Sequence, residues 1–109
     1  MNLGSFSISL AVRDLTASRA FYETLGFTVL DGDEQSWVLL ANGAAKIGLF
    51  QGMFEKNIIT FTPPDARAVE RGVTGAGYAL ESGTEGDAGP THFMVTDPDG
   101  NMVMFDQFE

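Results

Sequence analysis

The chain has 109 residues, 44% of them hydrophobic, which suits one domain (residues 1–109) with an apolar core. It contains no cysteine, and this excludes disulfides, thiolate nucleophiles and Cys-ligated zinc or iron–sulfur centres. Fifteen Asp and Glu against six Lys and Arg give a formal charge of -9, which opposes binding to nucleic acid or anionic lipid and favours cationic partners.

No run approaches the ~20 apolar residues of a membrane span. The first residues, Met1-Asn2-Leu3-Gly4-Ser5, have neither the basic group nor the apolar stretch of a secretion signal, so a cytoplasmic location is expected. From Ser5 to Val12 polar and apolar residues alternate, the period of a strand with one face in a core: Ser7, Ser9 and Ala11 on one side, Phe6, Ile8, Leu10 and Val12 on the other. Asp14 or Thr16 can cap the next helix, in which Ala17, Ala20, Phe21 and Leu25 fall at helical spacing, and Gly26 suits its left-handed end. Phe27 to Asp31 reads as a strand. Trp37 to Ala41 and Ala45 to Phe50 are two more, joined through Asn42-Gly43. Pairing Ala41 with Ala44 would set Trp37 opposite Gly48 and Leu39 opposite Lys46.

The second half repeats this order. Asn57 to Thr62 is strand-like; Pro63-Pro64 stops it and can open a helix with Ala66, Val69 and Val73 inward. Tyr78 to Glu81 reads as a short strand, Ser82 to Pro90 as a polar loop, and His92 to Thr96 with Met102 to Phe108 as a closing hairpin around Pro98 and Gly100. Asp97, Asp99 and Asn101 lack the other ligands of a calcium loop and read as turn residues. The halves form two βαβββ modules, about 5–50 and 57–108, within an α+β fold of paired modules whose curved mixed sheets surround a cavity.

Val12-x-Asp14-Leu15-x-x-Ser18-x-x-Phe21-Tyr22-x-x-Leu25-Gly26-Phe27, followed downstream by Asp97-Pro98-Asp99-Gly100-Asn101, resembles the vicinal oxygen chelate superfamily. That superfamily includes glyoxalase I, extradiol dioxygenases and the fosfomycin- and bleomycin-resistance proteins. The resemblance spans essentially the whole chain and implies a homodimer. It also places the family's metal-ligand positions on Ser7, Gly48, Asn57 and Met104. Glycine and a thioether are poor ligands for Mg, Mn, Fe, Ni or Zn, and the single His cannot complete a 2-His-1-carboxylate site in one chain, so neither a metal nor another cofactor is expected.

With strand parity anchored on those positions, the expected ligand-binding residues are Ser7, Ser9, Trp37, Lys46, Gly48, Asn57, Phe61, His92, Met94 and Met104. They form a mainly apolar surface with a few polar points, as small-molecule sites do. Trp37 over Gly48 would be a stacking platform. Catalytic residues are not assigned; His92 is the only candidate acid or base. The expected function is metal-free binding and sequestration of a small molecule, cationic or aromatic, as in the bleomycin-resistance branch, with antibiotic resistance as one outcome. The alternative is a lyase, isomerase or dioxygenase-related enzyme with an atypical or absent metal site.

Overall fold

Two aspartates start the two helices of the structure, a computed structural model that describes residues 1–109. Asp14 accepts a hydrogen bond from Ala17 N (3.1 Å) and begins α1 (Leu15–Thr24); Asp65 accepts one from Ala68 N (3.1 Å) and begins α2 (Ala66–Gly75). Thr16 is not the cap of the first, and Pro63-Pro64 lie before the cap of the second rather than in its first turn. Both helices end on a glycine with positive φ, Gly26 (99°) and Gly77 (96°). Paired backbone bonds close the two ends in the same way: Phe27 N to Tyr22 O with Gly26 N to Glu23 O, and Tyr78 N to Val73 O with Gly77 N to Thr74 O.

Seven strands accompany them: β1 (Ser5–Val12), β2 (Thr28–Gly32), β3 (Trp37–Asn42), β4 (Ala45–Gln51), β5 (Ile58–Thr62), β6 (Thr91–Thr96) and β7 (Met102–Gln107). The chain is therefore α+β with mixed parallel and antiparallel pairing, as expected. It forms two compact units, Ser7–Asn57 and Met1–Phe6 with Ile58–Glu109.

In the Ser7–Asn57 unit the strands run in the order β2, β3, β4, β1, with β1 parallel to β4 and the others antiparallel. Leu15, Val38, Leu40 and Leu49 are buried together, with Leu10, Val12, Tyr22 and Phe27 packed around them. Leu15 and Tyr22 are thus the inward side of α1. Phe21 and Leu25 are 60% and 56% exposed, although they share the helical spacing read from the sequence.

The other unit pairs β5 parallel to β7 and β7 antiparallel to β6. Ala66, Val69, Phe93 and Phe105 are its buried centre. The Phe105 ring stacks between Phe93 and Phe61, with centroids 4.6 and 5.7 Å away. Here the α2 stripe of Ala66, Val69 and Val73 does face the core.

Two expectations are corrected. Residues 78–81 form no strand. Only a bridge between Ser82 and Met94 remains, because beyond it the backbone groups bond to side chains rather than to a strand: Glu70 accepts Thr84 N and Oγ1, both at 2.7 Å, Thr91 Oγ1 accepts Glu85 N at 2.9 Å, and Arg67 donates to the carbonyls of Glu85, Gly86, Ala88 and Gly89. The first hairpin has another register. Asn42 pairs with Ala45, so the loop is Gly43-Ala44 rather than Asn42-Gly43. Gly43 has φ 59° while Ala44 is not positive, the sequence of angles of a turn with glycine at its first central position. Every pairing moves by two residues: Trp37 lies opposite Phe50, Leu39 opposite Gly48, Ala41 opposite Lys46.

Candidate functional site

A two-residue slip keeps each side chain on its face but changes its neighbour. Ser7, Ser9, Lys46, Gly48 and Trp37 do share the face of their unit turned away from α1. Trp37, however, stacks on Phe50, with centroids 5.9 Å apart and planes 6° from parallel, and Phe50 meets Phe54 at 5.2 Å. A Cβ built on Gly48 would lie 2.6 Å from Phe50 Cε2, so the Phe50 ring covers the glycine. The expected space between Trp37 and Gly48 is therefore occupied by the chain's own aromatic ring. The aromatic surface is the Trp37–Phe50–Phe54 row.

Asp33 fixes the backbone that leads into Trp37. Its carboxylate accepts from the N–H groups of Gln35, Ser36 and Trp37 (2.9, 2.7 and 3.0 Å) and from Ser36 Oγ (2.5 Å). These bonds, the Ser36 hydroxyl first, hold its pKa far below the ordinary carboxylate range. Glu34, at φ 61°, pairs with Arg19 at 2.5 Å and completes the turn. Lys46 is half-buried and makes no ion pair. Ser9 is buried at 4% exposure.

In the second unit, parity read from Asn57 is off by one residue. Asp14 and Asp65 occupy the same place in the two halves, which makes Ser7 the counterpart of Ile58 and Ser9 the counterpart of Thr60. The ladders agree: Ser9 pairs with Gly48, and Thr60 pairs with Met104. Ile58, Thr60 and Thr62 thus share the face of Met102 and Met104. Phe61 is corrected to the α2 side, where it stacks on Phe105. Asn57 precedes β5, and its Oδ1 accepts Ala11 N at 3.0 Å.

Met94 lies opposite Met104 and Thr96 opposite Met102. His92 lies opposite Asp106 on the same face, a partner that the sequence reading missed. His92 is exposed and Asp106 half-buried. Burial pushes the Asp106 carboxyl above the ordinary carboxylate range, and the charge of His92 works against that rise. The expected residues therefore gather into two sets, one on each unit: Ser7, Ser9, Trp37, Lys46 and Gly48, and His92, Met94 and Met104 with Asp106. Asn57, whose side chain bonds the β1 backbone, and Phe61 fall outside both.

The Asp97 turn is self-contained. Its carboxylate accepts from Asp99 N, Asn101 N and Asn101 Nδ2 within 2.9 Å, which depresses its pKa, the Asn101 side chain contributing most. No oxygen there is arranged for calcium.

The positions assigned to metal ligands by resemblance, with Ile58 replacing Asn57, are Ser7, Gly48, Ile58 and Met104. Their side chains supply one hydroxyl and one thioether, a donor set that does not fit the divalent ions of such enzymes. No group of three or more His, Asp or Glu elsewhere in the chain is placed to hold one.

Residues 4–105 match the family described as the Glyoxalase/Bleomycin resistance protein/Dioxygenase superfamily. A comparison with curated proteins gives no match. Among solved structures, a member of that superfamily from Vibrio splendidus 12B01 is similar at TM-score 0.69 and 22% identity, over 94% of this chain and 97% of that one. Methylmalonyl-CoA epimerase from Mycobacterium tuberculosis is similar at TM-score 0.73 and 19% identity, over 100% and 91%. The Mn(II)-bound glyoxalase from Novosphingobium aromaticivorans gives 0.66 and 18%, over 97% of this chain and 39% of that one.

Proposed function

Because the chain belongs to the glyoxalase/bleomycin resistance protein/dioxygenase superfamily, we propose that it binds and sequesters a small organic molecule without a metal, as its bleomycin-resistance members do. The observation that carries this reading is the donor set: at the positions where the resemblance puts metal ligands stand Ser7, Gly48 and Met104, with Ile58 in place of Asn57 once the ladders set the register. The surfaces offered to a ligand are the Trp37–Phe50–Phe54 row, with Lys46 on the same face, and the methionine face that bears His92 and Asp106. Aromatic and methionine surfaces suit a planar or irregular apolar body, and the charge of -9 favours one that is cationic. An antibiotic of that description is within the class. The protein is taken to act in the cytoplasm as a homodimer; no helix is long and apolar enough to cross a membrane.

Trp37 is the only indole, so its fluorescence reports binding at the first surface directly. A screen of planar and cationic compounds should yield saturable quenching that Phe50→Ala weakens while Trp37 still reports, and sizing should show a dimer. A chain that is monomeric at tens of micromolar removes the dimer from this reading, and a screen with no saturable ligand removes the binding function. The second reading, an enzyme, is favoured by one observation, that His92 and Asp106 lie opposite each other on one face of the hairpin, where a substrate could meet both an imidazole and a carboxyl. Turnover of any bound compound that His92→Gln abolishes would establish it instead.

A further inference from the structure

We infer that the β6–β7 hairpin carries a subsite for a small organic cation with an apolar body, the cation at Asp106 and the body along Met94 and Met104. This rests on the small-molecule reading above and assigns its ligand to a chemical class.

The inference starts from how the chain uses its aspartates. Asp14 and Asp65 cap helices, Asp33 and Asp97 organise turns, and Asp31 accepts the N–H of Gly32 at 2.8 Å. Asp87 and Asp99 are exposed to water. Asp97 and Asp106 are the two half-buried aspartates; Asp97 is satisfied within its own turn, whereas Asp106, near the end of β7, has a carboxylate that accepts no hydrogen bond and makes no ion pair. A carboxylate partly withdrawn from water without an internal donor is stabilised by any cation that reaches it.

The neighbourhood is otherwise neutral. Ile58, Thr60 and Thr62 on β5 carry no charge, and β7 itself adds Met102 and Met104. His92 on β6 is the one titratable group opposite, and Glu81 lies beyond β6, where it accepts Thr96 Oγ1 at 2.7 Å. The hairpin thus presents one acidic end followed by the Met94–Met104 pair, whose flexible thioethers adapt to an apolar body of irregular outline. A neutral or anionic ligand would leave Asp106 unanswered.

Phenyltrimethylammonium and its neutral isostere tert-butylbenzene test this, because they share shape and differ only in a permanent charge. In calorimetric titrations the chain should bind the cation at least tenfold more tightly than the isostere. Asp106→Asn should remove that preference and leave the isostere within about twofold of its original affinity. His92→Lys, at an exposed position that tolerates change, places a fixed cation opposite Asp106 and should weaken the phenyltrimethylammonium complex about tenfold, an independent check if the asparagine variant folds poorly. Equal affinities for the two compounds, or a cation affinity indifferent to both substitutions, overturn the assignment while the small-molecule reading stands. Silence of both compounds at millimolar concentration also overturns it; the Trp37 screen, run separately, then decides whether the broader reading survives.

Discussion

Gly48 sets the position of the Phe50 ring. Any side chain at Gly48 would meet that ring, so Gly48→Ala should displace Phe50, break its parallel stack on Trp37 and cost about 1–3 kcal/mol, as overpacking does. Denaturant melts read the loss, and a shift in Trp37 emission reads the cause. Asp33 and Asp106 make opposite pH predictions. Asp33 has a depressed folded pKa, so its contribution is present above its ordinary value of 3.8 and disappears as pH falls through and below it; Asp33→Ala should flatten the acid side of a Tm-against-pH curve. Asp106 has a raised folded pKa, so its contribution is present below the ordinary value and is lost as pH rises through the raised one. Asp106→Asn should therefore gain Tm over the parent at neutral pH, and the gain should vanish near pH 3. A gain that grows on acidification would contradict the burial assigned to that carboxyl.

At the scale of elements, the two glutamines that end β4 and β7 do the same work. Gln51 Oε1 accepts Leu15 N at 2.7 Å, and Gln107 Oε1 accepts Ala66 N at 2.8 Å, each tying the first residue of a helix to the last of a strand. Ala66 is fully buried, so Gln107→Ala strands its N–H and should cost about 1–3 kcal/mol, while Gln107→Glu keeps the acceptor and should recover most of it. Arg67 makes a softer prediction. It holds the 85–89 carbonyls from α2, and Arg67→Ala should speed amide exchange across that loop with little change in Tm. Elements were legible where their chemistry is local: the Asp14 cap, Gly26, the Asn42-Gly43 neighbourhood and the Pro98-Gly100 turn all lie at the ends they announce. Two-residue loops on either side of Gly43 satisfy the same turn rule, so the hairpin register was not legible. Nor was the parity of β5, because Ile58-Ile59-Thr60-Phe61 lacks alternation, and only the distance back from Asp65 fixes which side faces α2. For that reason the sequence alone sets Phe61 on the wrong face, and it carries no signal for Asp106, whose significance depends on a partner across the hairpin.

For the whole molecule, duplication is the organising fact, with the same cap, glycine closure and glutamine tie in each half. It was visible in the sequence because turns and caps recur in order, whereas the second half's missing strand was not, since the diversion of 82–90 depends on Arg67 and Glu70 reaching from α2. What differs between the halves is the face turned from each helix: aromatic with Lys46 in one, methionine-rich with His92 and Asp106 in the other. The proposed function turns on ligand binding without a metal. Its most direct test is to measure the affinity of a ligand from the Trp37 screen in excess EDTA, then after addition of Mn²⁺, Ni²⁺ or Zn²⁺. The affinity should be the same in all conditions, with no metal retained after dialysis; a ligand lost with EDTA and restored by one of these ions would contradict the account.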